Sequence, residues 1–418
     1  MNQAMRVPAG ITLGACPVCA SADVVTLEPA HDFDSFTTMG DEFTFRIGSS
    51  GCLACGFIFL NPRASQSAMF EYYRRQSRIP RSLDMLGQAY TELLERQASF
   101  IRRQWNPIGA QRILDVGCAE GFFLERLGRE VPGEVTLEAV EPSTVYAAAA
   151  RAVLPHVNIH EGMLEDADLP PAAFDLITIR HVLEHVQSPL EALTLLRRAM
   201  RPGGLLHIEV PDVVDVPASV SSLFHHEHLN YFTDDSLRGV LARAGFQVAE
   251  IEAANDNPKN SGFAYPVLRV LAVPGDVQAN ASPPAHDVVD LYVRHTQLRG
   301  AYLAARIDPV RALLGALARD GKRIGVFGAG PHTLDVFSAL DLPAATWSAI
   351  FDNNPNKAGR TLRGVEIARP TPQTLAAVDV VLVSSAEFER EIVAQLESFD
   401  LPDLQVVTLY GARSGETR

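Results

Sequence analysis

The sequence predicts an α/β protein of three domains, a small cysteine-bearing one followed by two units of alternating strand and helix. Four of the five cysteines fall before residue 56, as two C-x2-C pairs. Two apolar strands, QRILDV and KRIGVF, each run into a glycine turn and then a helix. A chain of 418 residues also exceeds what one core usually holds, at about 150 residues per domain. Composition shifts set the domains at residues 1–75, 76–275 and 288–418, and the small, polar, proline-containing GDVQANASPPAHD separates the last two.

Composition narrows the function classes. A hydrophobic share of 47% with 21% charged residues excludes collagen-like and disordered chains, and no apolar run approaches a membrane span. The net charge of −14 repels phosphate backbones, so a small-molecule substrate is expected rather than nucleic acid. The opening MNQAMRVPAG has neither a basic nor an apolar leader segment, which predicts a cytoplasmic protein without a membrane partner. Oligomeric state is left open.

Cys16-Pro-Val-Cys19 and Cys52-Leu-Ala-Cys55 can each wrap one edge of a tetrahedral Zn²⁺, and Gly56 suits the tight turn behind the second pair. Four cysteine ligands leave no open position, so the ion is expected to be structural. The segment is turn-rich with little core of its own, and the metal is expected to supply the missing free energy. Cys118 lies outside this set.

From about Ser77 the pattern becomes a charged amphipathic helix, SLDMLGQAYTELLERQASFIRRQW. The strand Ile113-Leu114-Asp115-Val116 then meets Gly117-Cys118-Ala119-Glu120-Gly121, where missing side chains let backbone approach a ligand. Glu141 ends the next strand, where a carboxylate can accept both ribose hydroxyls. FDLITIR, GGLLHIEVP, FQVAEIEAA and PVLRVLAVP continue the sheet. The spacing of the first turn is not the G-x-G-x-x-G of a pyrophosphate cradle, which argues against NAD at this position. In the last domain Val326-Phe327-Gly328-Ala329-Gly330-Pro331 and Asp352 repeat the nucleotide-type arrangement, and both α/β units are read as Rossmann-like.

LDVGCAEG, EAVEP and RPGGLL resemble the motifs of class I S-adenosylmethionine-dependent methyltransferases. The resemblance implies that Asp115, Gly117 and Gly121, with Cys118 in the same loop, surround the methionine end of that cofactor. Glu141 would hold its ribose and Met163-Leu164 its adenine, while Arg180, His181 and His185 follow the strand at which the methyl group is delivered.

Phe224-His225-His226-Glu227-His228-Leu229-Asn230-Tyr231-Phe232 holds more ionisable groups than a connecting loop needs, and histidine titrates near neutrality. Its histidines are one and two residues apart and do not share a helical face, which argues against a metal triad made of them alone. With this segment, the cysteine pairs and the C-terminal D-N-N-P-N-K turn, nearly the whole chain resembles the three-domain, zinc-containing sugar-nucleotide C-methyltransferases of deoxysugar biosynthesis. That resemblance implies proton removal beside a 4-keto group and methylation of the enolate carbon. His228 oriented by Glu227 is then the expected base, His225 and His185 are alternatives, and the last domain helps bind the nucleotide-sugar. Two departures stand out: His225 occupies a position that is commonly tyrosine in the family, and Asn260-Ser261-Gly262-Phe263 replaces a glycine-rich segment. O- or N-methylation of a sugar or a polysaccharide or natural-product precursor is the runner-up. From other classes, an NAD-dependent oxidoreductase and a non-catalytic nucleotide-binding scaffold remain.

Overall fold

The computed structural model describes residues 5–7, 10–37, 41–75, 82–256, 265–275 and 286–411, so the segment 260–263 and most of the linker lie outside the described residues. No helix among the described residues is long and apolar enough to cross a membrane.

The first unit is more ordered than its turn-rich sequence implies. Strands Val24–Phe36 and Glu42–Cys52 pair antiparallel from Val24↔Cys52 to Phe36↔Glu42, with register shifts on the way. The alternation Phe43, Phe45, Ile47 sets three large side chains on one face, where they pack with Ile58, Met69 and Tyr72. That core is finished by residues from elsewhere: Leu229 and Tyr231 of the middle unit and Leu291 of the long helix all join it. The short strand Asn230–Tyr231 even extends this first sheet, pairing antiparallel with Ile58–Leu60. The apolar core overlooked in the sequence reading is therefore present, and it is assembled from segments distant in the chain.

The middle unit is a seven-stranded sheet in the order Phe246–Asn255, Pro266–Pro274, Met200–Pro211, Phe174–Arg180, Gln111–Val116, Val135–Glu141, Asn158–Glu161. Its inner strands are parallel and buried on both faces, which is why they read as continuous apolar runs. Pro266–Pro274 alone runs antiparallel to its two neighbours. Strand order reverses beside Gln111–Val116, and the crevice at that switch point, outside the carboxyl ends of the strands, is where ligands bind in open α/β sheets. The amphipathic helix expected from the sequence spans Leu83–Arg102, but Gly87 sits at φ 76° and breaks its regularity.

The last unit is a six-stranded sheet in the order Thr361–Leu362, Val365–Ala368, Trp347–Phe351, Ile324–Phe327, Val380–Val383, Gln405–Thr408. Helix Val288–Arg319 leads into it, capped by the Asp287 carboxylate, which accepts from the Val289 and Asp290 N–H groups. At 32 residues it is about 48 Å long. Leu291 at one end packs into the first unit, and Ile307 and Leu314 pack into the last.

Candidate functional site

Gly117 follows strand Gln111–Val116 at φ 75°, and a Cβ there would lie 2.3 Å from Val182 Cγ2, so glycine is required sterically. Gly121, at φ 83°, turns the chain into helix Phe122–Gly128. The loop between them is clamped by Glu141, whose Oε2 accepts from Ala119 N–H at 3.0 Å and whose Oε1 accepts from Ser143 N–H at 2.9 Å. Glu141 is 5% exposed, and burial outweighs these donors and pushes its carboxyl up to about 7. Each oxygen keeps a further lone pair for a ligand hydroxyl.

A cavity of ≈ 420 Å³ opens over this loop. Of the residues expected around the cofactor, Gly117, Glu141, Met163, Leu164 and His181 line it. Asp115, Cys118, Gly121 and Arg180 lie behind that wall. Asp115 is buried and accepts from Thr178 Oγ1 at 2.5 Å, and burial raises its pKa. Cys118 is likewise buried, which pushes its thiol up. The Arg180 guanidinium stands 3.7 Å over the Phe123 ring and donates to Gln97 Oε1 at 2.8 Å.

Further lining comes from two loops that hydrogen bonds hold together. Leu229 N–H and Asn230 N–H both donate to the Glu184 carbonyl, at 2.7 and 3.0 Å. The Asn230 side chain donates to the Val186 carbonyl at 2.7 Å. His185 Nδ1 lies 2.7 Å from the Glu227 carbonyl, which can only accept, so the ring carries its hydrogen on Nδ1. His185, Glu227 and His228 line the cavity together with Tyr73 and Tyr265. The His228 ring centre lies 4.9 Å from that of His185 and 3.9 Å from that of His225. His225 is thus beside the cavity wall, one imidazole removed from its surface.

The expectation that Glu227 orients His228 and raises its basicity is not what the geometry gives. Among the described residues no hydrogen bond joins the Glu227 carboxylate to His228; the Glu227 group that is engaged is its carbonyl, on His185. Burial and the neighbouring imidazoles pull His228 well below the usual histidine range, and burial with His185 pulls His225 to about 3. Both rings are neutral, the form that can accept a proton. His226, by contrast, is a core residue: 3% exposed, it stacks on Phe45 with ring centres 4.2 Å apart and meets Tyr72 edge-on.

Two acids here escaped the sequence reading. Burial alone would lower the His181 pKa, but Glu209, 3.1 Å from Nε2, and Glu184, 3.4 Å from Nδ1, outweigh it and push it up to about 10. Glu209 also accepts from Gln97 at 2.6 Å and Arg269 at 2.5 Å, and Arg269 in turn pairs with Asp256. The available signal was the spacing of His181, Glu184 and His185, which are i, i+3 and i+4 neighbours within one turn.

The four cysteines of the first unit converge. Cys16 Sγ lies 3.7 Å from Cys55 Sγ and Cys19 Sγ lies 3.6 Å from Cys52 Sγ. All four sulfurs fall within 4.8 Å of one another. Four thiolates about 2.3 Å from one tetrahedral ion would stand roughly 3.8 Å apart, so the set fits zinc without rearrangement.

In the C-terminal unit Asp352 Oδ2 accepts from Ala329 N–H and Oδ1 from Asn354 N–H, each at 2.8 Å. Here Lys357 occupies the turn. It is 9% exposed, and its Nζ donates to Asp352 Oδ2 at 3.0 Å and to the Ala329 carbonyl at 2.6 Å.

Residues 74–251 match the family described as a methyltransferase domain, and residues 301–408 match the C-methyltransferase C-terminal domain. A 37.1 kDa protein encoded in a Streptomyces fradiae transposon is 28% identical over 214 residues, 49% of this chain and 59% of its own length. An uncharacterized methyltransferase of Mycobacterium bovis is 32% identical over 102 residues, 24% of this chain and 51% of its own. The chain thus spans between half and three-fifths of the length of these relatives. Among solved structures, an S-adenosylmethionine dependent methyltransferase from Mesorhizobium loti is 19% identical, with a TM-score of 0.35, covering 45% of this chain and 98% of that one. The middle unit is thus an α/β, Rossmann-like sheet whose sequence matches a methyltransferase domain, and the unit after it matches a C-methyltransferase C-terminal domain.

Proposed function

We infer that the whole chain transfers the methyl group of S-adenosylmethionine to a carbon beside the keto group of a nucleotide-linked sugar. The observation that carries this reading is one cavity with two unlike sets of lining residues: the glycine loop with Glu141, and His185, Glu227 and His228. The first set suits the donor. Glu141 accepts the ribose hydroxyls, Met163 and Leu164 flank the adenine, and the backbone at Gly117 admits the methionine end. The second set suits a carbon acid. A neutral imidazole, His228 or its neighbour His225, takes the proton beside the ketone, and the resulting enolate carbon attacks the methyl group as the sulfonium leaves. Alignment of donor and acceptor supplies much of the acceleration, on the order of 7–11 kcal/mol in well-oriented reactions. The match of residues 301–408 to a C-methyltransferase C-terminal domain supports carbon over oxygen as the acceptor atom.

The four thiolates hold one structural zinc, which ties the two cysteine turns of the first unit to each other. Chelation under denaturing conditions is expected to release about one thiolate-held zinc per chain, and Cys16→Ser is expected to lose it. Elemental analysis of the two proteins checks this.

The functional test is incubation with labelled S-adenosylmethionine and a panel of nucleotide-4-ketosugars in deuterated water. Label on carbon, with exchange of the adjacent carbon-bound hydrogen, is the expected result. Label on a sugar oxygen with that hydrogen untouched would make the chain an O-methyltransferase, and no transfer to any nucleotide-sugar would remove the acceptor class.

A further inference from the structure

The Glu184 carboxylate has no role in the scheme above, and its surroundings are unusual. It is 1% exposed and lines the cavity, yet neither of its oxygens receives a hydrogen bond. Its nearest charged neighbour, His181, is shared with Glu209, so the buried carboxylate is only partly compensated and can take a second cation. The nearest ring nitrogens are His181 Nδ1 at 3.4 Å and His185 Nε2 at 3.8 Å. His181 faces Glu209 through its other nitrogen. His185 donates from Nδ1 to the Glu227 carbonyl, which leaves Nε2 on the side of the carboxylate. Nε2 and the carboxylate oxygen then face each other 3.8 Å apart. The His228 ring borders the same gap, and one ligand atom from each of Glu184, His185 and His228 lies within 4.8 Å of the others. A second trio, His181, Glu209 and Asp256, is as compact, but Arg269 and Gln97 already supply its counter-charge and donors.

We propose that Glu184, His185 and His228 bind one divalent first-row cation at the acceptor end of the cavity, its open positions taking an oxygen atom of the methyl acceptor. Two imidazoles and a carboxylate are a donor set that leaves coordination positions free. Ligand atoms 2.0–2.2 Å from one ion stand roughly 3.0–3.5 Å apart, so small side-chain rotations close the site. The Glu227 carbonyl on His185 Nδ1 is the kind of outer partner that orients a ligating imidazole. The trio draws on both loops, with a single histidine from the 225–228 segment, so the spacing of that segment's own histidines does not bear on it. With His228 on the ion, His225 remains as the uncommitted imidazole beside it. The set differs in kind from the four thiolates, since nitrogen and oxygen donors accept harder ions than sulfur does.

This proposal rests on the reading that this end of the cavity receives the acceptor, but its test needs neither acceptor nor turnover. The full chain, dialysed against a weak chelator so that thiolate-bound zinc stays, is titrated with Mn²⁺ while the free-ion paramagnetic resonance signal is followed. About one Mn²⁺ per chain is expected, bound at least about tenfold more weakly by Glu184→Gln and by His228→Gln. Circular dichroism reports their folding, and His185→Asn replaces either variant should it fail to fold. No uptake by the unaltered chain, or undiminished uptake in any folded variant, overturns the site. A chain that binds Mn²⁺ this way yet methylates no ketosugar would overturn the functional reading and leave the metal site standing. One that methylates carbon without binding Mn²⁺ would do the reverse.

Discussion

In the middle unit an acid at the end of the second strand accepts N–H groups from the glycine loop and from two residues downstream; in the C-terminal unit Asp352 does the same with nearly the same distances. The two turns part company at what comes next. Over Glu141 the chain leaves a cavity, whereas over Asp352 it inserts Lys357, which bonds both the carboxylate and the loop carbonyl of Ala329. Thr333 and Ser384 crowd the second turn further, their hydroxyls 2.9 Å apart beside Gly328. The acid clamp is thus a device for closing a strand–turn–helix corner, and it becomes a ligand site only where nothing fills the corner. That weighs against an NAD-dependent reading of the last domain, whose ribose-binding acid is already engaged.

Four measurements can break or sharpen this contrast. If the open corner serves the donor and the histidine wall serves the acceptor, His228→Ala is expected to lower methyl transfer and carbon-hydrogen exchange by about 10²–10⁴-fold while donor affinity holds. A matching fall in donor affinity would merge the two walls into one site. For the filled corner, Asp352→Ala strands the buried Lys357 ammonium and is expected to cost about 3–5 kcal/mol of stability, with donor affinity unchanged. Denaturant unfolding and calorimetry read these separately, and weakened donor binding would mean that the second corner takes part after all. At the open corner, Glu141→Ala is expected to weaken S-adenosylmethionine by about 1.5–3 kcal/mol, and unchanged affinity would withdraw Glu141 from the cofactor site.

The smallest effect is a pH dependence. If Glu141 holds the ribose, it accepts the hydroxyls best when ionised, so donor affinity is expected to fall as pH drops through about 7, by at most about 1.4 kcal/mol per unit, and Glu141→Gln is expected to flatten that profile. In the ligand-free chain the sign is opposite. A carboxyl whose pKa is raised on folding contributes stability that is present below its ordinary value near 4.5 and is lost as pH rises through about 7.

Much of this was legible in the sequence. Parallel strands buried on both faces are continuous apolar runs, so DLITI and RILDV announced themselves, and glycines forced to positive φ marked the first turn. Glu141 could be placed at the turn because a strand-ending acid at that distance from a glycine loop clamps it, as Asp352 does in the last unit. Lys357 and Glu184 could not be found so directly. Local spacing sets Glu184 beside His181 and His185, but it carries no record of Lys357 reaching back to Ala329 or of His228 closing on Glu184 from another loop. Phe43, Phe45 and Ile47 were readable as one strand face, but the turn residues around them obscured it.

The two-residue strand Asn230–Tyr231 has a consequence for how the chain comes to be folded. Phe59 acquires its ladder partner Asn230 only after most of the middle unit has been made, and the same short segment carries Leu229 and Tyr231 into the first unit's core. During synthesis the cysteine-bearing segment therefore waits with an unpaired sheet edge, and loop closure over that span must precede the contacts that reward it. Folding of the amino-terminal unit is in this sense coupled to the very turn that carries His225 and His228. Maturation of the first sheet and assembly of the histidine wall become a single late event, and a chain interrupted before that turn would complete neither.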